Sequence, residues 1–528
     1  MTESKLSSCL QKRRNTILLT LALALYAVFA VYFFINVYRY TGNFPNKRYA
    51  YGLLVASAIA GGLIWLCYYL LKHKDIKIET LFVFFMLTAG VIYAAVFLPF
   101  TIPDEGEHYL SAYRISNYIT FNTDQIGEER LLIRSCDLEL ISRLRANALS
   151  PEYYSSLANN FQMFAADRSA SFIPAKFIGS APAGYIASAL GISLGRALHL
   201  GALPTFYLGR FANLGLYTFA VWWAMKRIPY GKTALFVISA FPMVIHLVAS
   251  YSYDFLVIAL AMLFVSQVLY MREKPSRVSI PDIILCAVYS ILLAPAKLVY
   301  FPILLLIFLV PSEKFGLSKK TAALIKCGII AVGIAALLIM QLGKISTYMS
   351  DGNSVSWSND EVYSVSHVLT HPFEFLRILF NTFYHYTDYY SSMIIGNHMD
   401  GTGGVILPVF LWSLMIPVTV FSFLRRKDEE PKALQRSTRL WCFVLFAGIC
   451  ILALLSMLFS WTPVSSNVIR GVQGRYFIPA LPLLFLAMRG DKLLRPANSD
   501  KYIIFFCIYY NLLMPMVYFG QLFLPEFA

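Results

Sequence analysis

The chain has 528 residues, 58% of them hydrophobic and only 14% charged. Soluble domains carry about 25% charged residues, so a soluble globular protein is excluded and a membrane protein is indicated. The formal charge of +15 does not call for nucleic acid. Its lysines and arginines gather in short connections between apolar runs: Lys12 to Arg14, Lys72 to Lys77, Lys226-Arg227, Arg272 to Arg277, Lys314 to Lys326, Arg425 to Arg439 and Arg489 to Lys501. Basic short loops mark the cytoplasmic side of a membrane protein.

In chain order, the first apolar run, Ile17 to Tyr38, is long for a signal-peptide core, and no small-x-small cleavage site follows Val37. It reads as a retained anchor. Runs from Tyr49 to Leu71 and from Thr80 to Leu98 follow. With the N-terminus inside, the third run exits near Pro99 and a long polar stretch, Thr101 to Phe177, lies outside. If Ala183 to Leu200 spanned, every later basic loop would fall outside. An interfacial segment there returns them all to the inside, and that choice is preferred. Further passes are expected at 207–225, 233–250, 254–271, 281–294, 299–311, 323–342, 404–424, 440–460, 475–489 and 502–523. Pro295 and Pro302 allow 281–311 to be one broken helix lining a cavity. The expectation is an all-α polytopic protein of about thirteen spans with the C-terminus outside. Cys136 stands alone among external residues, so no disulfide-stapled ectodomain is expected. Neither a transporter-type repeat nor a nucleotide-binding loop is evident.

Four polar clusters fall on the external side under this topology. Pro103-Asp104-Glu105-Gly106-Glu107-His108 follows the third run and offers a base or metal site, or else an acidic cap on a helix. Asp254, closing Ser250-Tyr251-Ser252-Tyr253, is an ionisable group at a membrane boundary, or an N-cap. Lys297 could hold a lipid phosphate or merely snorkel. Arg470-Gly471-Val472-Gln473-Gly474-Arg475 suits a phosphate through bidentate guanidinium contacts, and Arg210 and Arg196 sit similarly. His367 and His371 share a helical spacing, but no acidic third ligand in register makes them a zinc site. His246 reads as a hydrogen-bonded packing residue rather than a relay. Tyr384 to Tyr390, with its tyrosines around His385, reads as an interfacial aromatic belt.

The ordered motifs P-D-E-x-x-H (Pro103 to His108), S-A-P-A-G-Y (Ser180 to Tyr185), L-G-R-F-A-N-L (Leu208 to Leu214), F-P-M…S-Y-S-Y-D (Phe241 to Asp254), A-K-L-V-Y-F-P (Ala296 to Pro302) and V-Q-G-R-Y-F-I-P (Val472 to Pro479) resemble a bacterial membrane family, domain-of-unknown-function family 2142. That family is in turn similar to the GT-C glycosyltransferases, such as protein O-mannosyltransferases and the lipid A aminoarabinose transferase. The resemblance implies two additional N-terminal helices (1–79), a GT-C-like catalytic domain (80–500) with external loops 99–206 and 343–403, and a last helix with an external C-terminus (501–528). It implies inverting transfer from a polyprenyl-phosphate-linked sugar donor to a cell-envelope glycan or glycolipid acceptor, on the external face of the bacterial plasma membrane. Asp104 would be the base with Glu105 beside it, Asp254 would orient the donor, and Lys297, Arg475, Arg210 and Gln473 would bind donor and phosphate. Glu107, His108 and Tyr185 would assist or meet the acceptor. A divalent cation, Mg or Mn, held by Asp104 and Asp254 is allowed for. The rival expectations are a polysaccharide polymerase and a flippase or transporter of lipid-linked saccharides.

Overall fold

A computed structural model describes residues 3–40, 47–73, 76–122, 130–144, 151–159, 161–165, 167, 169–175, 182–349, 355, 357, 360–399, 409–429 and 434–522. Ser180 and Ala181 of the S-A-P-A-G-Y motif, and residues 404–408 of an expected span, lie outside the described residues. The chain is mostly helical. In order come α1 (Glu3–Tyr40), α2 (Arg48–His73), α3 (Ile78–Val96) and α4 (Glu105–Ile119). Strand β1 (Arg130–Arg134), α5 (Ser135–Leu144), α6 (Pro151–Asn159) and β2 (Ala170–Pro174) follow. Next are α7 (Ile186–Ala197), α8 (Ala202–Arg227), α9 (Lys232–Ser239), α10 (Pro242–Val248), α11 (Asp254–Glu273) and α12 (Ile280–Ala296). The rest comprises α13 (Lys319–Met349), α14 (Val365–Thr370), α15 (Pro372–Ile394), α16 (Val409–Trp412), α17 (Met415–Phe423), β3 (Arg425–Arg426), α18 (Arg436–Trp461), α19 (Leu481–Met488), β4 (Leu494–Arg495) and α20 (Ser499–Gln521). The expectation of a purely α chain needs one amendment. Strands β1 and β2 pair antiparallel, with Arg130 opposite Pro174, and the two-residue β3 and β4 pair in parallel.

Among the described residues, seven helices are long and apolar enough to cross a membrane: Thr16–Arg39, Tyr49–His73, Ile78–Val96, Asp254–Glu273, Lys319–Leu342, Arg436–Trp461 and Ser499–Gln521. The other expected passes fall on shorter, broken or more polar helices, which is why the count stops short of thirteen. The run expected at 233–250 is cut between Ser239 and Pro242, because proline cannot donate to the preceding turn. The 299–311 pass is a 3-10 helix, Leu298–Leu309, and the 475–489 pass opens with another, Gly474–Ala480, before α19. Segment α7 is a 12-residue helix, roughly 18 Å long at 1.5 Å per residue and too short to span about 30 Å of hydrocarbon. Ile186, Leu190, Leu194 and Leu198 are exposed along one stripe of it. Its other face packs small residues on α8: a Cβ on Gly191 would sit 2.4 Å from the Leu208 carbonyl oxygen.

Helix α11 is central, with 89% of its apolar window buried, whereas α1 is peripheral at 11%. Helices α1 and α2 both pack on α20, α1 through Tyr26 edge-on to Tyr509 and Phe33 against Gly520, and α2 through Tyr68 edge-on to Phe505. The basic loops form their own anchored layer. Asp282 accepts from Arg227 at 2.7 Å, Lys274 at 2.7 Å and Ser279 Oγ at 2.7 Å, closing a capping box at the start of α12. Asp500 pairs with Arg426 and Arg495, and Glu429 with Arg489.

Candidate functional site

The site is built at the places where helices stop. Helix α12 ends at Ala296, Lys297 is extended (φ −150°, ψ 124°), and a 3-10 helix begins at Leu298. The break predicted around Pro295 is therefore real, and Lys297 occupies it. Its exposed backbone is partly satisfied by Gln341 of α13, whose Nε2 donates to the Pro295 carbonyl at 2.6 Å. Gln473 is likewise extended (φ −123°, ψ 141°) before the 3-10 helix that carries Arg475. Tyr300 ties the two breaks together by donating to the Tyr476 carbonyl at 2.8 Å.

Both cations point at the first residue of α11. Lys297 Nζ lies 2.6 Å from Asp254 Oδ1, and Arg475 Nε lies 3.6 Å from Asp254 Oδ2. Lys297 is also held 4.5 Å from the Tyr476 ring centre and 5.2 Å from that of Tyr253, as cation–π attraction favours. Asp254 is thus no N-cap; Tyr253 holds that position, without a side-chain cap bond. The Arg475 side chain is only 8% exposed, yet its Nε has no hydrogen-bond partner. Two cations face one carboxylate here, leaving a buried donor unsatisfied, which costs free energy until an acceptor arrives.

The acidic cluster divides into two roles. Glu105 and Arg210 form a fully buried bidentate pair, Nη2–Oε2 2.6 Å and Nε–Oε1 2.9 Å. Glu105 also accepts from the Phe100 N–H at 2.8 Å and the Tyr251 N–H at 3.2 Å. Arg210 spends its remaining donors on the carbonyls of Ala94, Phe97 and Leu98 at the end of α3, where a helix C-terminus favours positive charge. The expectation of Arg210 as a phosphate ligand is corrected: it has no donor left for one. Glu105, accepting four hydrogen bonds, is likewise a strut rather than a free base. The pair joins α3, α4, α8 and the hairpin that delivers Asp254.

Asp104 is its opposite. It is exposed, sits at the start of α4 with φ +60° in the left-handed region, and makes no cap hydrogen bond. It stands four residues before His108 on the same helix, near enough for its charge to be felt at His108 and Arg475. Strained backbone is tolerated where the surroundings enforce it, and the Glu105–Arg210 strut one residue on supplies that enforcement. His108 Nδ1 lies 2.9 Å from the Tyr185 hydroxyl, and its ring meets Tyr253 edge-on at 5.4 Å. A Cβ on Gly184 would come within 2.5 Å of Tyr253 Cβ, so only glycine lets the Tyr185 turn approach. Glu107 is half-buried on α4.

Helix α4 lies outside the membrane-spanning helices. Burial there pushes the His108 imidazole down to about 4, against attraction from Asp254 and Asp104. An unfolded histidine takes its proton near 6.5. Between those values the unfolded chain binds more protons than the folded one, so stability falls as pH drops from 6.5 and levels off below about 4. His108→Gln is expected to flatten that part of a pH-dependent thermal-unfolding series. An unchanged slope would show that His108 is not the group responsible.

Several other expectations resolve on geometry. Arg196 donates to Ser116 at 3.0 Å and Asn117 at 2.8 Å, bracing α7 on α4. His246 packs edge-on to Phe97 at 4.5 Å, but the expected hydrogen bond is corrected: among the described residues neither ring nitrogen has a partner. His367 and His371 do stack, at 4.5 Å, and Glu374 lies 3.2 Å from His367, so an acidic neighbour exists that the spacing did not suggest. Among the described residues, however, no group of three His, Cys, Asp or Glu is arranged to hold a metal ion. Asp254 also fits a divalent cation poorly, since both of its oxygens face cations already. The tyrosines around Lys297, namely Tyr253, Tyr300 and Tyr476, were not singled out from sequence, although each lies within three residues of a site charge. An apolar cavity of about 610 Å³ opens among α1, α17 and α20, and none of Asp104, Asp254, Lys297 or Arg475 lines it.

Fold and site together define a helical, multi-pass membrane protein with a carboxylate and two cations gathered at interrupted helices. The chain belongs to the family described as Predicted membrane protein (DUF2142), whose model matches residues 85–484. The match begins within α3 and ends within α19, so α1, α2 and α20, which pack on one another, all lie outside it. Neither the curated proteins nor the solved structures give a match.

Proposed function

We propose that this protein is a GT-C-type glycosyltransferase of the bacterial plasma membrane. It transfers a sugar from a polyprenyl-phosphate-linked donor to a cell-envelope glycan or glycolipid on the external face, by one inverting displacement. The observation that carries the reading is the buried Arg475 Nε, which makes no hydrogen bond and stands 3.6 Å from Asp254 beside the Asp254–Lys297 pair. An excess positive charge with a free donor at a helix break suits a phosphate leaving group, and the exposed Asp104 nearby suits a base.

In this reaction the acceptor hydroxyl oxygen attacks the anomeric carbon. Its proton passes to the Asp104 carboxylate, and the bond from the anomeric carbon to the phosphate oxygen breaks with its electron pair on that oxygen. Arg475 and Lys297 take up the charge that grows on the departing phosphate, a task for pre-oriented groups in a water-poor site. Asp254 keeps both cations aimed. Glu105 and Arg210 fix the backbone on which Asp104 and Asp254 stand. The thirteen-span topology, with the N-terminus inside and this site outside, belongs to the same proposal. It is supported by the placement of the Asp282, Asp500 and Glu429 ion-pair clusters in the basic loops.

The test of the phosphate role is binding of a polyprenyl monophosphate, the reaction's lipid product, to protein in nanodiscs. Arg475→Gln is expected to weaken it about 10- to 100-fold, the worth of a hydrogen bond to a charged group. Equal affinity in the variant and the wild type would remove Arg475 from the phosphate site.

A further inference from the structure

Beside the proposed site lies a second cleft, of about 410 Å³, lined by Trp357, Tyr386, Tyr389, Tyr390, Trp461, Ile469, Arg470, Gly471, Val472 and Gln473. Resting on the function proposed above, we infer that this cleft is the saccharide subsite for the acceptor glycan.

The lining chemistry points to a sugar. Five of the lining residues are tryptophan or tyrosine, and their ring faces carry negative charge density. A pyranose presents a face of weakly positive C–H bonds that stacks on such rings, and a rim of hydroxyls that needs polar partners. Arg470 and Gln473 stand in the same cleft, and among the described residues the Gln473 amide has no protein hydrogen bond. The apolar cavity among α1, α17 and α20 is the contrast. It also has aromatics, five phenylalanines and tyrosines, but they stand among four leucines, two prolines and Val418, with no charged side chain and no side-chain amide in its lining, as an acyl chain would require. A volume of this size falls in the range of small-molecule sites.

The cleft is also built in advance. Trp357 and Trp461 stand 6.3 Å apart at 48°. Residues 361–363 are fastened to the segment after α18 by the Val362–Pro463 bridge, by the Val464 N–H on the Glu361 carbonyl at 2.9 Å, and by Tyr363 donating to the Ser466 carbonyl at 3.0 Å. On the opposite wall α15 sorts its aromatics. Phe373, Phe380 and Tyr384 are exposed along one face, whereas Tyr386 stacks on Tyr390 at 6.0 Å on the face turned to the cleft.

Its position makes it an acceptor site. Residues 470–473 form the cleft floor, and the same segment continues directly into Arg475. Between them Gly474 is pressed against α15, where an added Cβ would lie 2.2 Å from the Tyr390 carbonyl oxygen. A glycan held on the aromatic walls would therefore end beside the phosphate-facing cation.

The test uses the full chain in nanodiscs. A panel of neutral and acidic envelope-type oligosaccharides is screened on a glycan array, and the tightest binder is titrated by tryptophan fluorescence and by competition. Trp357→Ala and Arg470→Ala are each expected to weaken binding about tenfold or more, Trp357→Tyr to recover part of it, and Phe380→Ala, on the exposed face of α15 away from the cleft, to bind as the wild type does. Retention of no oligosaccharide by the wild type, or equal binding by Trp357→Ala, would overturn the inference. Glycan binding lost in Trp357→Ala, in a wild type that transfers no sugar, would leave the cleft standing and remove the transferase. Transfer with an acceptor KM unchanged in Trp357→Ala would do the reverse.

Discussion

An Asp104→Asn chain is expected to transfer sugar roughly 10²- to 10⁴-fold more slowly than wild type, the usual contribution of a positioned general base, while unfolding at the same temperature. The structural half of that expectation follows from the backbone. Asp104 is held at φ +60°, and asparagine enters the left-handed region as readily as aspartate. Its side chain makes no cap hydrogen bond that the change could break. What is removed is the negative charge at the start of α4, carried by the exposed carboxylate of the cluster, whereas Glu105 is a strut and Glu107 is half-buried. Initial rates and melting temperatures on the same preparation check both halves. Near-normal rates would remove Asp104 as the base.

The second large effect is the mirror image. Arg210→Met is expected to cost about 3–5 kcal/mol of stability, since it leaves Glu105 charged and unpaired inside the protein. Glu105 would keep only the two backbone donors of Phe100 and Tyr251, and the α3 carbonyls of Phe97 and Leu98 would lose theirs. Activity should fall with it, because the strut positions both Asp104 and Asp254. The double variant Glu105→Gln with Arg210→Met should recover part of the loss, as neighbours sharing one interaction do not add. Denaturant titration of the solubilised protein measures this. An Arg210→Met chain as stable as the wild type would show that the pair holds nothing together.

These two variants also mark the boundary of what the sequence makes legible. Lys297 and Arg475 could be picked out because a charge near proline or glycine in apolar sequence has few other uses, and Asp254 because an ionisable group stood at a membrane boundary; the structure brings all three together. The break at Pro295 was readable for the same reason. The pairing of Glu105 with Arg210 was not, because 105 residues separate them. The signal available was that an arginine within an apolar helix needs a partner, but Asp104, Glu105, Glu107 and Asp254 all offered one, and nothing in the sequence marked Glu105. The thirteen expected passes relied on apolar runs alone. Length cannot distinguish an α-helix from the 3-10 segment 298–309 or from the pair α9 and α10 broken at Pro242. The aromatic run at Tyr384 to Tyr390 was read as one belt, but a helix sorts its residues by face. Tyr384 stays exposed, whereas Tyr386, Tyr389 and Tyr390 line a cleft whose other wall, Trp357 and Trp461, comes from distant sequence.

Reconstituting the wild-type protein in nanodiscs with radiolabelled polyprenyl-phosphate sugars and envelope glycan acceptors tests the transferase most directly. The predicted result is labelled glycan, with one polyprenyl phosphate released per sugar moved. No labelled glycan with any donor, alongside movement of lipid-linked sugar across the bilayer of vesicles carrying the same protein, would contradict it and identify a flippase instead.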